Sequence, residues 1–175
     1  CDSEGYRNQL QEGRVPVHAD EEQEYECETH RWLDKGAKVE YANKDGWTPL
    51  HSASRQGHER VAQLLLDTGA RLNAADKDGW TPLHAASEQG HESVVQLLLD
   101  KAVKVESANK DGGTPLHAAS RQGHESVAQL LLDKGSMVDA ADKDGWTPSH
   151  AASEEGHESV VQLLLGLSRI HVFDP

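Results

Sequence analysis

The sequence predicts an all-α solenoid, built from stacked helix–turn–helix units that are joined by hairpin loops. An octapeptide that begins Lys-Asp-Gly recurs four times, with single substitutions, at a fixed spacing of 33 residues, and the same pair of short amphipathic patterns follows each copy. A fixed period of about 20–50 residues is typical of repeat proteins, in which each unit covers its neighbour's apolar face. The chain of 175 residues is 36 % hydrophobic and only 5 % aromatic, so aliphatic side chains must build the core.

The repeats divide the chain into segments. The four full units are residues 44–76, 77–109, 110–142 and 143–175, the last with a C-terminal tail, and residues 31–43 match the second half of a unit. Residues 1–30 hold nine acids and two arginines, a charge of −7 out of the net −13. Two interpretations of this segment are open: degenerate capping helices over residues 3–11 and 21–33, which we favour, or an acidic leader.

Each unit opens with a helix start. In the first unit, Thr48 is expected to accept a backbone N–H as the N-cap residue, and Pro49 occupies the first helical position, where its lack of an N–H costs nothing. Leu50 and Ala53 are expected to face inward from this short helix. Gly57 supplies the left-handed conformation that ends it.

A second helix and a hairpin complete the unit. The helix is expected over residues 59–67, because Val61, Ala62 and Leu65 belong to a broad apolar face. Gly69 closes it, and the following residues, rich in Asn, Asp and Gly, predict a tight hairpin. Ala102 stands where the units before and after it have this closing glycine, so the sequence predicts a left-handed L-residue there, at a cost of about 1 kcal/mol.

This unit resembles the ankyrin repeat. The Gly-x-Thr-Pro-Leu-His start, the Gly57-His58 pair and the Val-x-x-Leu-Leu run that begins at Val61 have that family's spacing, and they recur over residues 44–165. The resemblance implies an ankyrin-repeat solenoid with a rigid concave surface for a protein partner, as a sensor or scaffold segment of a larger intracellular signalling protein. The alternative is a structural spacer or an array that self-associates through its uncapped C-terminal repeat.

The resemblance also implies which residues contact the partner. In ankyrin-like proteins these are the hairpin tips and the exposed edge of the first helix. Carried over residue by residue, they are Lys44, Asp45, Trp47 and Arg55; Lys77, Asp78, Trp80 and Glu88; Lys110, Asp111, Gly113 and Arg121; and Lys143, Asp144, Trp146 and Glu154.

Two features of this set have two interpretations each. The tryptophans form either a binding row, in which the gap at Gly113 seats an apolar side chain, or a set of rings that each pack on their own hairpin. The helix edge alternates in charge, as Arg55, Glu88, Arg121 and Glu154. This alternation either sets the register of a partner or reflects the duplication of a two-unit block.

The histidines are expected to be structural. Eight of the eleven form two ladders, which are His51, His84, His117 and His150, and His58, His91, His124 and His157. Equivalent residues of stacked helical units lie roughly 8–10 Å apart, too far for ligands that hold zinc at about 2.0–2.1 Å. His51 is instead expected to tie the Thr48 cap to the neighbouring turn. No nucleophile–base pair, phosphate loop or paired-cysteine motif occurs, so we expect no enzyme activity, metal or other cofactor.

Charge and hydropathy exclude further classes of partner. A net charge of −13 disfavours binding to a nucleic-acid backbone, which lysine and arginine must neutralise. No apolar run is long enough to span a membrane. Two cysteines are too few for a disulfide framework, so the composition favours a cytoplasmic location, with the nucleus also open.

Overall fold

The computed structural model describes residues 39–171, and the side chains of residues 39–166. In this part of the chain there are eight helices and no strands. The helices are α1 (Pro49–Gln56), α2 (Glu59–Asp67), α3 (Pro82–Gln89), α4 (Glu92–Asp100), α5 (Pro115–Gln122), α6 (Glu125–Asp133), α7 (Pro148–Glu154) and α8 (Glu158–His171). The prediction of an all-α solenoid of helix–turn–helix units is confirmed. The segment predicted over residues 1–30 and most of the half-unit 31–43 lie outside the described residues.

The helices form two layers. The first helices of successive units, α1, α3, α5 and α7, contact one another in order, and so do the second helices, α2, α4, α6 and α8. Each unit therefore packs on its neighbours in the sequence, and the apolar core between the layers runs continuously through the four units.

The first helix of the first unit begins and ends as the sequence predicts. Thr48 is the N-cap residue in extended conformation, Pro49 follows it, and Gly57 ends α1 with a φ of 75°. A Cβ on Gly57 would lie only 2.6 Å from Nδ1 of His91 in the next unit. Glycine is therefore required twice, for the left-handed backbone and for the close approach of the next unit.

Aliphatic side chains build the core, as expected. Leu50 and Ala53 of α1 are 1 % and 0 % exposed, and Val61, Ala62 and Leu65 of α2 are also buried. Burying such a leucine stabilises a protein by roughly 1.5–3 kcal/mol. In the fourth unit the leucine position is Ser149, which is only half-buried, so this unit has the smaller core.

At one repeat position, the first three units each have a serine that is buried without a hydrogen-bond partner. The hydroxyl groups belong to Ser54, Ser87 and Ser120, and each residue is 0 % exposed. In the fourth unit, the exposed Ser153 donates to the carbonyl oxygen of Ser149 at 2.7 Å. A buried unpaired hydroxyl costs about 1–3 kcal/mol, so the hydroxyl groups of these three serines lower the stability of the array.

The left-handed alanine predicted from the sequence is confirmed. Ala102 has a φ of 60° and is the one non-glycine residue with positive φ among residues 39–171. At Gly69 and Gly135, which occupy the same position, a Cβ would meet nothing within 4 Å. The cost of an alanine at this position is therefore conformational rather than steric.

Replacing Ala102 by glycine should raise the free energy of unfolding by about 0.5–1 kcal/mol. Relief of the left-handed conformation, roughly 1–2 kcal/mol, exceeds the larger chain entropy that glycine adds to the unfolded state, about 0.4–1 kcal/mol. Urea denaturation of A102G measures the change, and Gly135→Ala is the matched control, expected to destabilise by a similar amount. A lower midpoint for A102G would contradict the prediction.

Replacing Ser87 by alanine should stabilise the array by about 1 kcal/mol, because the substitution removes a buried hydroxyl that makes no hydrogen bond. Ser153→Ala is the control, since that hydroxyl is exposed and bonded, and its removal should change the stability by less than about 0.5 kcal/mol. Thermal or urea denaturation of both variants checks this. Equal effects of the two substitutions would show that burial of the hydroxyl is irrelevant.

Candidate functional site

A buried histidine in each first helix ties two successive units together. Nδ1 of His51 accepts the backbone N–H of Thr48 at 3.1 Å and lies 2.8 Å from the threonine hydroxyl. Nε2 lies 3.0 Å from the carbonyl oxygen of Trp80 in the next hairpin. Since a backbone N–H can only donate, Nδ1 carries no proton, and Nε2 is the atom that donates to Trp80. The predicted tie between the N-cap and the neighbouring turn is confirmed.

The same tie recurs along the array. Nε2 of His84 and of His117 lies 3.1 Å from the carbonyl oxygens of Gly113 and Trp146, respectively. In the fourth unit, His150 lies 2.8 Å from the Thr147 hydroxyl. The His150 ring is exposed, because no further unit covers it within the described residues.

These ties keep their imidazoles neutral. Burial lowers the pKa values of His51, His84 and His117, because the interior disfavours the charged ring, and it lowers that of His84 to about 4. The carbonyl acceptor at Nε2 raises the pKa but does not offset burial. A proton on Nδ1 would also displace the backbone N–H that this atom accepts. The buried imidazoles are therefore structural, and they stay neutral at neutral pH.

The second histidine ladder connects units in the other direction. Nε2 of His91 lies 2.9 Å from the carbonyl oxygen of Arg55, and the equivalent contacts are His124 to Glu88 at 3.0 Å and His157 to Arg121 at 3.0 Å. Carbonyl groups in the last turn of a helix have no partner within it, and the histidines satisfy them. The sequence did not predict this contact. Its signal was the Gly-His pair, because the glycine makes room for the histidine of the next unit.

Within the described residues, no group of three or more His, Cys, Asp or Glu side chains is arranged to hold an ion. No helix among residues 39–171 has the length and apolarity to cross a bilayer.

Each hairpin tip is fixed by an Asn or Asp side chain. Oδ1 of Asn43 accepts the backbone N–H groups of Asp45 and Trp47, both at 2.9 Å. The tips are joined to one another, since the N–H of Lys77 donates to the carbonyl oxygen of Asp45 at 2.7 Å. The predicted tip lysines and aspartates therefore form one continuous exposed row. In this row, Nζ of Lys110 lies 3.8 Å from Oδ1 of Asp78.

The tryptophans pack on the histidines of their own units. The distances between ring centroids are 4.8 Å for Trp47 and His51, 5.4 Å for Trp80 and His84, and 5.9 Å for Trp146 and His150. The indole N–H of Trp47 donates to Ser52 at 3.1 Å, and the guanidinium of Arg55 lies 6.0 Å from its ring centroid. Trp47 and Trp80 remain half-buried, and Trp146 is 38 % exposed. Each indole thus has one face on its own unit and another accessible to solvent.

Gly113 preserves the hairpin without a ring. Its N–H donates to Oδ1 of Asn109 at 2.8 Å, and its carbonyl oxygen accepts the N–H of Asn109 at 2.9 Å, as in the hairpins with tryptophan. Ala118 in α5 is partly exposed, whereas Ala85 and Ala151 at the same position are 0 % and 1 % exposed. The absent indole therefore uncovers the helix beneath it.

The alternating residues Arg55, Glu88, Arg121 and Glu154 lie at the accessible edge of the first helices. The contact between Arg55 and Trp47 shows that this edge and the hairpins belong to one surface. We call it the hairpin–helix surface; it comprises the hairpin tips, the tryptophan row with Gly113, and the alternating helix edge. Whether these residues contact a partner remains a prediction from the resemblance.

Comparison with protein-family models gives two matches, to residues 21–109 and 102–174, and both are to a model described as ankyrin repeats (3 copies). Together, the two matches span residues 21–174. The comparison with curated proteins gives no significant match.

Acid should weaken the array through His84. The folded-state pKa of about 4 lies below the unfolded value of 6.5, so the unfolded chain takes up the proton first as the pH falls. Above pH 6.5, His84 is neutral in both states and does not lower the free energy of unfolding. By about pH 4, protonation of His84 in the unfolded chain lowers that free energy by about 3 kcal/mol. Denaturation across this range should give a shallower pH dependence for His84→Gln than for the parent chain. The exposed His150→Gln serves as the control, and equal slopes for all three proteins would exclude this contribution.

Proposed function

The chain belongs to the ankyrin-repeat family, and from this premise we propose that it binds a protein partner through the hairpin–helix surface. Ankyrin repeats are generally protein–protein interaction modules, and the family is typically non-enzymatic. The role of the individual tip and edge residues is part of the proposal. No nucleic acid or membrane is included among the partners, since the net charge is −13 and the composition is polar.

The observation that carries the proposal is the hairpin at Gly113. It makes the same backbone hydrogen bonds as the hairpins with tryptophan, so the indoles are dispensable for hairpin geometry. Hairpin geometry therefore does not account for the three half-exposed indoles on this surface. Tryptophan is enriched in binding hot spots, because it buries a large area and loses little side-chain entropy.

The mechanism is rigid presentation. The histidine ties and the bonds between tip backbones hold the surface in register before any partner arrives. Little ordering entropy is then lost on binding, so more of the contact energy appears as affinity. The alternating charge of Arg55, Glu88, Arg121 and Glu154 would select the register of the partner.

We extend the proposal to the setting of the chain: a sensor or scaffold segment of a larger signalling protein inside the cell. Two cysteines among 175 residues support a reducing compartment, where thiols stay unpaired. This part rests on composition and on the resemblance, whereas the binding surface rests on geometry.

The alternative function is a spacer or self-associating array, and one observation favours it. In the fourth unit Leu165 is 52 % exposed, and Val161 and Leu163 are only partly buried. An apolar face of this kind can associate with another copy. Self-association would appear as a mass that rises with concentration, and replacement of Val161 by lysine would abolish it.

Replacing Trp47, Trp80 and Trp146 together by alanine should abolish partner binding. Each hot-spot tryptophan contributes about 2 kcal/mol or more, so even one loss weakens binding about thirtyfold. The measurement is affinity capture from a cell extract, after circular dichroism has shown that both chains fold. The matched control replaces three glutamines by alanine. They are half-buried in the second helical layer at the same repeat spacing, and they are Gln63, Gln96 and Gln129.

A partner retained by the parent and the glutamine variant, but lost by the tryptophan variant, supports the proposed surface. If the tryptophan variant keeps the same partners, the indoles are structural and the proposal is wrong. If no chain captures a partner, and the mass rises with concentration, the self-associating array is the function.

A further inference from the structure

In three units of the array, a tryptophan ring packs against the histidine of the first helix. In the first, second and fourth units an indole lies on that imidazole, with ring centroids 4.8–5.9 Å apart. The third unit has the same imidazole. His117 lies 2.9 Å from the Thr114 hydroxyl and donates to the carbonyl oxygen of Trp146 at 3.1 Å. His117 is therefore positioned like the other imidazoles and is 5 % exposed, against 0 % for His51 and 1 % for His84, and Gly113 supplies no ring above it.

Two further groups border this gap. The Ala118 methyl group is partly exposed, although the alanines at the same position under Trp80 and Trp146 are buried. Arg121 occupies the position from which Arg55 reaches to 6.0 Å from the Trp47 ring. Arg121 is exposed, and within the described residues it forms no ion pair. An imidazole face, a methyl group and a guanidinium are together suited to an aromatic ring.

We propose that the gap at Gly113, bordered by His117, Ala118 and Arg121, is a receptor site for one aromatic side chain on a peptide segment of the partner protein. The inference rests on the proposed function, since the gap lies on the hairpin–helix surface. An aromatic occupant is favoured over an aliphatic one because the chain itself places indoles, in three equivalent positions, against the same imidazole. In the first of these positions, Arg55 shows how a guanidinium borders the ring.

The gap can also be filled from within the chain, which provides a direct control. Gly113 has no left-handed φ, and the three atoms nearest to a Cβ there belong to the side chain of Asn109, the closest at 3.3 Å. A Gly113→Trp variant can therefore fold with its indole on His117, as in the other units. The reverse change, Trp80→Gly, should open a similar gap above Ala85, bordered by Glu88 instead of an arginine and therefore weaker for a ring.

The test is an NMR titration of the full chain, with labelled alanine methyl groups, using N-acetyl-tryptophanamide as the probe. A ring seated on His117 should shift the Ala118 methyl resonance upfield in a saturable way, and the buried Ala85 and Ala151 should not respond. N-acetyl-leucinamide should need a much higher concentration to saturate its response, because an aliphatic side chain lacks the ring contacts with imidazole and guanidinium. The comparison is between the midpoints of the two titrations, since only the aromatic probe produces a ring-current shift.

Two variants decide whether the response belongs to the gap. In Gly113→Trp the Ala118 response should disappear, and in Trp80→Gly a response should appear at Ala85. The receptor site is refuted if Ala118 of the parent does not shift, if the shift persists in Gly113→Trp, or if the leucine probe saturates its response at the same concentration as the tryptophan probe. The amide spectrum of each variant establishes that it is folded.

This outcome is independent of the capture experiment. A saturable Ala118 response in a chain that captures no protein would refute the proposed function and leave the aromatic site standing. Capture that depends on the tryptophans, without any Ala118 response, would refute only the aromatic site.

Discussion

The array depends on the hydrogen bond from a buried imidazole to the carbonyl oxygen of the next hairpin. In the second unit, His84 completes the cap of its own helix through Thr81 and holds the hairpin of the third unit through Gly113. One side chain therefore fixes both a helix start and the spacing between units. The bond requires a neutral ring, and the burial that the neighbouring unit provides keeps it neutral.

The same tie forms the floor of the hairpin–helix surface. In the first three units, both nitrogens of the imidazole are hydrogen-bonded within the array. Trp47, Trp80 and Trp146 pack against the imidazoles of their own units, with the ring planes tilted by 34–50°. The tip is held separately, by Asn or Asp side chains and by backbone bonds to the next tip. The residue above the imidazole is therefore free to vary without loss of the fold, and Gly113 is such a variation.

Local signals made most of the fold predictable. Thr48, Pro49 and Gly57 each act within a few residues, and the left-handed Ala102 follows from its place in the repeat. The contact of His91 with Arg55, 36 residues away, could not be predicted from local sequence, because it depends on how two units pack. For the same reason, the repeat spacing alone could not predict the orientation of the indoles or the exposure of Ala118. Residues 1–30 lie outside the described part of the chain, so the two interpretations of that segment stand.

The fourth unit separates what a repeat does alone from what its neighbour supplies. Thr147 and His150 make the same cap contact as in the other units, at 2.8 Å, from nearly the same local sequence. Yet His150 is exposed, Trp146 is more accessible than Trp80, and α7 ends one residue earlier than the other first helices. Local sequence is therefore sufficient for the cap, whereas burial of the imidazole and the full length of the helix come with the following unit. The stability of the array is for this reason a property of its interfaces, and the hairpin–helix surface is best ordered where a unit has neighbours on both sides.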